Sequence, residues 1–481
     1  MSASSPDVVP FWLAGEAATS DRTFEVRHPH DGSLVAVVAE PTPEQTEQAV
    51  AAAHAVRTAA AATPAHVRAA ALNHVADELT ARSEEVARLI TAENGKPVKW
   101  ARLEVARGIS TFRWAAEEAR RFSGELQRLD TDPAATGRIA VTRRFPRGAV
   151  LGISPFNFPL NLVAHKIAPA IAVGAPIVLK PAPKTPLAAL LLGELLAATD
   201  LPTGMVSVLP VPNERAGDLV ADPRLPVVSF TGSGPVGWSI KDAVPRKHVT
   251  LELGGNAAVV VCGDYPDLDW AATRIATFSN YQGGQSCIAV QRVLVARDRY
   301  EEFVPLLVDK VKAQVTGDPS DETTDVGPLI DVAAAQRVES WVDEAVGQGA
   351  ELLTGGVRDN AAYAPTVLAG VPSDATVNRE EVFGPVLTVT PFDTVDEAFA
   401  LVNDSEFGLQ AGVFTRDIQT AFTAQRVLEV GGVIVGDVPS YRADQMPYGG
   451  VKASGVGREG LRSAMTDYTE ERVMVLTGVD L

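Results

Sequence analysis

The sequence predicts an α/β protein made of two successive units of alternating strands and helices, with a smaller β element beside them. The chain has 481 residues, more than one ordinary hydrophobic core accommodates, so we expect several packed units. From residue 149 onward, short apolar runs alternate with helical stretches, which favours mostly parallel sheets covered on both faces. The alternation restarts after residue 250, which we take as the boundary between the units.

The N-terminal part of the chain is predicted to lead from short strands into helices. Residues 1–40 have the pattern of strands and turns. A capping-box start at Thr42, with proline at the next position, begins a helix that should end near residue 61. One or two further helices are expected within 64–91, and another across 98–122.

The strands and helices of the two α/β units are predicted from β-rich apolar runs and from the stretches between them. In the first unit, strands are expected at 149–153, 175–179, 206–209, 227–231 and 249–253, with a helix at 186–198. In the second unit, strands are expected at 257–261, 290–296, 386–391, 412–415 and 433–436, with helices at 300–314, 332–348 and 395–401.

Two stretches of mixed polar and apolar residues, 137–145 and 468–476, fit neither unit. Strands that stand beside a domain often pair across subunits. These stretches therefore predict a small β flap, and with it a homodimer or a homotetramer.

The composition is that of a folded, acidic protein. Hydrophobic residues make up 46% and charged residues 21%, and the formal net charge is −18. An acidic balance argues against a nucleic-acid partner, which requires a basic face. From residues 1–10 we expect no secretion signal. Lysines and prolines interrupt the most apolar stretch, 167–196, so no membrane span is expected either. The 2 cysteines form no disulfide framework and favour a reducing cytoplasm.

The most informative residue is Cys287, in the string Gly-Gly-Gln-Ser-Cys-Ile at 283–288. A lone acid, Glu252, lies upstream in Leu-Glu-Leu-Gly-Gly. A thiol and a carboxylate, each framed by glycines that let backbone approach a ligand, indicate covalent catalysis on a carbonyl. From its residue type alone, Cys287 could equally be a small buried hydrophobe. Cys262, inside an apolar run, is expected to be a core residue.

A glycine-rich string, Phe-Thr-Gly-Ser-Gly-Pro-Val-Gly, directly follows a predicted strand and opens a helix. Gly232 and Gly237 fit the spacing of a dinucleotide-binding turn, in which Glu252 would bind ribose hydroxyls. A plain tight turn is the alternative, because glycine is common in this chain. In either case the helix start offers free amides and Ser233 to a pyrophosphate. In a second assignment, Glu252 instead activates water beside Cys287.

Further strings complete a family pattern. They are Ser-Pro-Phe-Asn-Phe-Pro (154–159), Leu-Lys-Pro-Ala (179–182), Glu-Glu-Val-Phe-Gly-Pro-Val (380–386) and Pro-Tyr-Gly-Gly-Val-Lys-Ala-Ser-Gly (447–455). With the glycine-containing strings above, they occur in the order found in the aldehyde dehydrogenase superfamily, which this chain resembles from about residue 25 to 470. The resemblance implies the α/β aldehyde dehydrogenase fold: a Rossmann-like dinucleotide-binding domain (1–122 and 146–250), an α/β catalytic domain (251–450) and a small β oligomerisation flap (123–145 and 451–481).

The resemblance implies NAD(P)-dependent oxidation of an aldehyde to a free carboxylic acid, with Cys287 as nucleophile, Glu252 as base and Asn157 as an oxyanion donor. A free thiol titrates near ~8.5, so a nearby base or free amides must raise the thiolate share. Thiolate attack gives a hemithioacetal, whose oxyanion Asn157 can bind, and loss of hydride leaves a thioester. Glu252 then activates the water that releases the acid. Relatives that transfer the acyl group to coenzyme A usually lack this carboxylate.

The resemblance also implies the cofactor contacts. Lys180 should reach the adenine ribose, Glu381 should hold the nicotinamide ribose, and Phe383 should pack near the ring. Pro183 stands where strictly NAD-preferring relatives often carry a glutamate that repels a 2′-phosphate, and Lys184 adds a charge nearby. NAD or NADP is therefore expected, without a choice between them. The predicted cofactor-binding residues are Ser154, Phe156, Lys180, Gly232, Ser233, Gly237, Leu253, Glu381 and Phe383.

The substrate is predicted only by class. The segments 287–292 and 437–447 most resemble the branch that acts on lactaldehyde, phosphonoacetaldehyde and other small polar aldehydes, to which non-phosphorylating glyceraldehyde-3-phosphate dehydrogenases are similar. In such relatives, arginines near Arg107 and Arg442 clamp an anionic tail, so we hypothesise a short aldehyde with an anionic end. Alternatively, Arg107 forms an exposed pair with Glu104 on one helix.

Two other functions stay open on sequence alone. One is a thiol esterase or acyl-transfer enzyme that uses the same cysteine and acid without net oxidation. The other is a catalytically retired member of the family that serves as a binding or scaffold protein. None of the 7 histidines has ligand spacing with another histidine, a cysteine or a carboxylate cluster, so no catalytic metal is predicted.

Overall fold

The computed structural model describes residues 8–479; residues 1–7 of the predicted N-terminal strands and 480–481 of the predicted flap lie outside the described residues. The helices, numbered along the chain, are α1 (Pro43–Ala62), α2 (Ala65–Ala81), α3 (Ser83–Asn94), α4 (Val98–Arg121), α5 (Asn161–Val173), α6 (Leu187–Ala197), α7 (Ala216–Ala221), α8 (Gly234–Ala243), α9 (Leu268–Asn280), α10 (Arg297–Lys312), α11 (Val332–Gly347), α12 (Thr376–Arg379), α13 (Val395–Asn403), α14 (Ile418–Val427) and α15 (Leu461–Asp467).

The strands are numbered in the same way. They are β1 (Val8–Val9), β2 (Phe11–Leu13), β3 (Glu16–Ala18), β4 (Thr23–Arg27), β5 (Leu34–Ala39), β6 (Glu125–Arg128), β7 (Arg138–Pro146), β8 (Val150–Ile153), β9 (Ile177–Lys180), β10 (Val206–Val208), β11 (Val227–Thr231), β12 (His248–Glu252), β13 (Ala258–Val261), β14 (Arg292–Ala296), β15 (Glu351–Thr354), β16 (Arg358–Asp359), β17 (Ala362–Tyr363), β18 (Thr366–Ala369), β19 (Val386–Phe392), β20 (Phe407–Gly408), β21 (Gln410–Phe414), β22 (Gly432–Val435), β23 (Val451–Lys452), β24 (Gly455–Val456) and β25 (Thr469–Thr477).

Local sequence signals account for the ends of several helices. The start of α1 is a closed capping box: the Gln45 amide donates to the Thr42 hydroxyl over 3.2 Å, and the Thr42 amide donates to the Gln45 side chain over 2.9 Å. At the end of α3, Gly95 adopts a left-handed conformation (φ 74°) that favours glycine. The predicted capping box is therefore confirmed.

The first large sheet has the strand order β24-β12-β11-β8-β9-β10-β2-β3. Its central strands, from β12 to β10, are parallel, and antiparallel strands lie at both edges. Along the chain, β8 is followed by β9 and β10 on one side, and then by β11 and β12 on the other. The strand order therefore reverses between β8 and β11, and open α/β sheets bind dinucleotides at the carboxyl ends of such a pair.

The second large sheet has the order β15-β18-β19-β14-β13-β21-β22, and every pair except β15 with β18 is parallel. Helices cover both of its faces. Along β13, Val259 and Val261 point into one hydrophobic core, whereas Val260 points into the other. The continuous apolar runs of the sequence are what a parallel sheet buried on both faces requires, so the prediction of a second α/β unit is confirmed.

The two stretches that fit neither unit form one antiparallel sheet with β6, in the order β25-β7-β6. β7 and β25 pair along their whole length, from Thr469 opposite Pro146 to Thr477 opposite Arg138. Other parts of the C-terminal range 451–481 join the first unit: β24 pairs with β12, and Leu461 of α15 lies in its hydrophobic core. No helix in the range 8–479 is both long and apolar enough to cross a bilayer.

Candidate active site

A cavity of about 580 Å³ lies where the carboxyl ends of β8, β9, β11 and β12 meet the second unit. The first unit contributes residues at or directly after these strand ends, and the second contributes residues that precede β14 and β19. The cavity thus lies at the crevice that the strand order predicts for a dinucleotide. The predicted residues that line it are Ser154, Phe156, Asn157, Lys180, Gly232, Ser233, Glu252, Leu253, Cys287, Glu381 and Phe383.

Cys287 follows a short 3-10 segment, Tyr281–Gly284, and is partly exposed where it lines the cavity. Its Sγ lies 3.1 Å from the hydroxyl oxygen of Tyr448. Burial raises the pKa of the Cys287 thiol to about 12, although the hydrogen bond with Tyr448 opposes this shift. The thiol is therefore protonated at rest and reaches the cavity. Cys262, by contrast, is buried in a hydrophobic core, as predicted.

Glu252 is the last residue of β12, and only 3% of it is exposed. Neither carboxyl oxygen has a hydrogen-bond partner within the described part of the chain. Burial, reinforced by the nearby carboxylate of Glu459, raises the pKa of Glu252 well above its ordinary value. A buried carboxyl group with a purely structural role usually has hydrogen-bond partners. Because Glu252 has none among the described residues, its carboxyl group is available for proton transfer.

The Asn157 side chain lies between the two units. Its Nδ2 donates to the carbonyl oxygen of Gln285 over 3.0 Å, and the Gln282 side chain donates to the Asn157 carbonyl. These bonds fasten the loop after β8 to the segment that precedes Cys287. An amide nitrogen carries two hydrogens, so the Asn157 side chain keeps a second N–H that can donate to a bound acceptor.

Glu381 enters the crevice from the segment before β19. One of its oxygens accepts a hydrogen bond from the Gly255 amide over 2.9 Å. Burial raises the pKa of Glu381 to about 7, although that amide and Arg337 oppose the shift. Two residues further on, the Phe383 ring meets the Phe156 ring edge to face, with centroids 5.8 Å apart. This side of the cavity therefore combines one titratable acid with an aromatic wall.

The remaining part of the crevice offers hydrogen-bonding groups that suit a dinucleotide. The buried hydroxyl of Ser154 has no partner among the described residues. Lys180 donates to Asn213 Oδ1 over 2.8 Å, and burial lowers its pKa to about 8. Gly237 does not line the cavity; it packs against Leu253 and so brings α8 close to the end of β12. An unpaired hydroxyl, a lysine and a helix N-terminus fit ribose hydroxyls and a pyrophosphate.

The two predicted substrate arginines do not line this cavity. Arg442 is 4% exposed by its side chain, donates to Glu459 over 3.1 Å and lies 3.8 Å from the centroid of the Tyr448 ring. Arg107 donates to Asp444 Oδ1 over 3.1 Å. Arg442 contacts the Tyr448 ring, and the Tyr448 hydroxyl contacts the Cys287 sulfur.

The alternative for Arg107, an exposed pair with Glu104, is wrong. Glu104 is fully buried, forms an ion pair with Lys96, and accepts hydrogen bonds from the amides of Leu160 and Asn161 at the start of α5. Its carboxylate is used to anchor a helix N-terminus, where negative charge is favoured.

Three residues near the site were not predicted: Tyr448, Lys166 and Glu459. Lys166 of α5 is fully buried and donates to Thr231 over 2.7 Å and to Glu459 over 3.2 Å. A lysine inside an otherwise apolar helix was the available signal, because lysine is rarely buried without a partner. For Tyr448 the only signal was its place in the string at 447–455.

Within residues 8–479, no three histidine, cysteine or acidic side chains are grouped to hold a metal ion.

An α/β sheet with a dinucleotide crevice, in which a thiol, a buried carboxyl and an amide meet, defines a nucleotide-dependent enzyme. The chain belongs to the aldehyde dehydrogenase family, whose model matches residues 16–474. The predictions of the family, of its fold and of an enzyme are confirmed.

Individual relatives match almost the whole chain. A 3-sulfolactaldehyde dehydrogenase from Priestia aryabhattai is 42% identical over 467 residues, which cover 97% of each protein. Aldehyde dehydrogenase 21 from Physcomitrella patens, solved in complex with the reaction product succinate, superposes with a TM-score of 0.97 at 45% identity and 99% coverage of both chains. A glyceraldehyde-3-phosphate dehydrogenase from Methanocaldococcus jannaschii, complexed with NADP, gives 0.91 at 35% identity, covering 95% of this chain and 100% of the other.

Proposed function

We propose that this aldehyde dehydrogenase oxidises a short aldehyde with an anionic tail to the free carboxylic acid through a thioester on Cys287, which water hydrolyses with Glu252 as base. The observation that carries the proposal is that Cys287 and Glu252 line one and the same cavity, together with the residues of the dinucleotide crevice. A nucleophile, a base and a nucleotide site in one cleft are what this chemistry requires.

The proposed reaction begins when the Cys287 thiol loses its proton to solvent and the thiolate bonds to the aldehyde carbon, giving a hemithioacetal. The second N–H of Asn157 and the Cys287 amide donate to the oxyanion, and losing one such donor typically costs about 3 kcal/mol in the barrier. A nicotinamide cofactor held beside Glu381 would supply the acceptor for the hydride that this adduct must lose. Glu252 then takes a proton from the water that attacks the resulting thioester and passes it to the departing Cys287 sulfur, which releases the acid and restores the thiol.

The cofactor class predicted from the sequence, NAD or NADP, agrees with the family and with the relative complexed with NADP. We assign ribose and pyrophosphate contacts to Ser154, Lys180 and Ser233 at the carboxyl ends of the first sheet, and the nicotinamide ribose to Glu381. Pro183 also lines the cavity and brings no carboxylate to repel a 2′-phosphate, so both cofactors should be accepted. Lys184 is used in an exposed ion pair with Asp331.

Two arginines, Arg107 and Arg442, support the proposal that the substrate carries an anionic tail. In both side chains, Nε is buried and has no partner within the described residues. Buried donors without an acceptor cost free energy. Because neither side chain lines the cavity, the proposal requires an arginine to turn toward the bound aldehyde, whose tail would supply the acceptor. The Priestia relative is named for sulfolactaldehyde, and the Physcomitrella relative holds succinate. Both molecules carry an anionic end.

We propose a homodimer or homotetramer that assembles through the sheet of β6, β7 and β25. We keep the domain ranges predicted from the sequence, except that β24 and α15, within 451–481, belong with the first unit. β25 is an edge strand of that sheet, and Val473, Met474 and Val475 are 64%, 53% and 50% exposed. An apolar edge strand is a template for pairing with another chain.

The proposed compartment is the cytoplasm, because both cysteines are free thiols.

Steady-state assays with succinic semialdehyde, propanal and glyceraldehyde-3-phosphate, each with NAD⁺ and with NADP⁺, test the proposal by the absorbance of the reduced nicotinamide. We expect reduction by the wild-type protein, faster with the charged aldehydes, and none by Cys287→Ser. If no aldehyde reduced either cofactor, the proposal would fail. Hydrolysis of a thioester substrate would then favour the esterase alternative, and its absence would favour a retired scaffold.

A further inference from the structure

We propose that the hydroxyl of Tyr448 is the hydrogen-bond donor that stabilises the thiolate form of Cys287. The inference rests on the proposed role of Cys287 as nucleophile. Its basis is the 3.1 Å separation between Sγ and the phenol oxygen. Within residues 8–479, Tyr448 is the one residue whose side-chain oxygen lies within hydrogen-bond distance of the sulfur.

Tyr448 is held in place without help from this hydrogen bond. Its backbone exchanges two hydrogen bonds with Glu459, at 3.0 and 2.7 Å. The residue is 4% exposed and packs with Ile288 and Leu409 beside Cys287. The Arg442 guanidinium covers the ring, 3.8 Å from its centroid. The hydroxyl therefore points at the sulfur before any thiolate forms, as a preorganised donor must.

The direction of the hydrogen bond follows from the protonation states. Burial raises the pKa of Tyr448 well above its ordinary value, and the negative charge of an ionised Cys287 raises it further, which favours a protonated phenol beside the thiolate. A neutral O–H beside a thiolate can only donate. Among the charged groups that face Cys287, Glu252 and Glu381 raise the pKa of its thiol, and Arg442 lowers it. Tyr448 acts in the same direction as Arg442 and touches the sulfur directly.

The hydrogen bond from Tyr448 is expected to change the pKa of the Cys287 thiol more than it changes the rate of turnover. A hydrogen bond to a charged group stabilises it enough to shift a pKa by about one to two units. Thiolate nucleophilicity falls as the thiol becomes more acidic, with a Brønsted coefficient of about 0.4–0.5, so a tenfold gain in thiolate raises the rate only about threefold. Tyr448 should therefore influence the titration of Cys287 more strongly than kcat/KM.

The test is the pH dependence of Cys287 alkylation by iodoacetamide in the intact protein, without aldehyde or cofactor, followed by mass spectrometry of the peptide. Tyr448→Phe keeps the ring beneath Arg442 and removes only the hydroxyl. We expect the apparent pKa of Cys287 to rise by about one unit or more, with kcat/KM reduced about threefold. Cys287→Ser gives the background from Cys262, the other thiol of the chain.

Tyr281→Phe is the matched control, because this phenol lies near the site, packed against Phe158, without contacting the sulfur. Its alkylation profile should equal that of the wild type. An unchanged profile in Tyr448→Phe, or an equal shift in Tyr281→Phe, would overturn the inference. If Tyr448→Phe does not fold, wild-type protein labelled with the more acidic fluorotyrosine decides: a lower pKa of Cys287 supports the donor role, and an unchanged pKa opposes it. Turnover by Cys287→Ser would instead refute the proposed function itself.

Discussion

The Glu381 carboxylate fills the space beside Gly254, with Oε2 only 2.4 Å from the position that a Cβ on this glycine would take. The same carboxylate accepts a hydrogen bond from the Gly255 amide. The absence of a side chain at position 254 therefore allows an acid of the second unit to reach the dinucleotide crevice of the first. The sequence Glu-Leu-Gly-Gly thus supplies both the proposed base, Glu252, and the space that Glu381 occupies.

Gly254→Ala should displace Glu381 and weaken cofactor binding. Losing one hydrogen bond to a charged group corresponds to about a tenfold rise in KM for NAD(P)⁺, with a smaller change in KM for the aldehyde. Initial rates at varied cofactor concentration measure this. Gly347→Ala is the control, because an added Cβ at the end of α11 meets no atom within 4 Å. Equal cofactor KM values for the two variants would contradict the assignment of Glu381.

Much of the fold could be predicted from the sequence because its signals are local. Apolar runs, a capping box at Thr42 and a glycine string after β11 each depend on residues close together in the chain. Helix α5 was missed because it is buried on every side. A helix surrounded by protein has no polar face, so the periodicity that reveals a surface helix is absent.

The site could be predicted as a set of residues but not as a network. The strings containing Asn157, Glu252 and Cys287 indicated the chemistry, and the cavity brings them together. The contact of Cys287 with Tyr448 and the approach of Glu381 to Gly254 join distant parts of the chain. Such pairs depend on how two sheets pack against each other, which residue patterns along one strand do not contain.

Arg107→Met should lower activity selectively toward anionic aldehydes. Losing a hydrogen bond between charged groups predicts a fall of about 10- to 100-fold in kcat/KM for succinic semialdehyde, with propanal little affected. Arg113→Met on the same helix is the control, because Arg113 pairs with Asp77 on the surface. A parallel loss with both aldehydes in Arg107→Met would show that this arginine does not recognise the tail.

His165 predicts a loss of stability in acid. It is buried on α5, with Nε2 3.3 Å from Asp444 Oδ1, and burial lowers its pKa to about 4. The folded protein therefore keeps His165 neutral at pH values where the unfolded chain, with the ordinary value of 6.5, takes up a proton. The contribution of the neutral His165 to the free energy of unfolding is complete above pH 6.5. It is lost as the pH falls toward 4, by up to ~3 kcal/mol.

Urea unfolding midpoints at neutral and acidic pH measure this loss. The fall in midpoint should be smaller in His165→Gln than in the wild type, whereas the exposed His66→Gln should behave as the wild type. If all three proteins lost stability equally between pH 6.5 and 4, His165 would not be the group responsible.

The flap predicts how the protein assembles. Val473 and Val475 lie on one side of β25 and are at least half exposed. Replacing both by lysine should produce a smaller species in sedimentation velocity, because an assembled interface would bury two unpaired charges. Val357→Lys, at an equally exposed valine outside the flap, should sediment as the wild type. An unchanged sedimentation coefficient in the double variant would exclude this sheet as the interface.

The central claim is that substrate becomes bonded to Cys287 and that Glu252 releases it. The most direct measurement is the mass of Glu252→Gln after mixing with succinic semialdehyde and NAD(P)⁺. We predict a single burst of reduced nicotinamide, steady turnover lowered about 10²- to 10⁴-fold, and one acyl group on the peptide that contains Cys287. A burst without an adduct, or an acyl group on any other residue, would contradict the account.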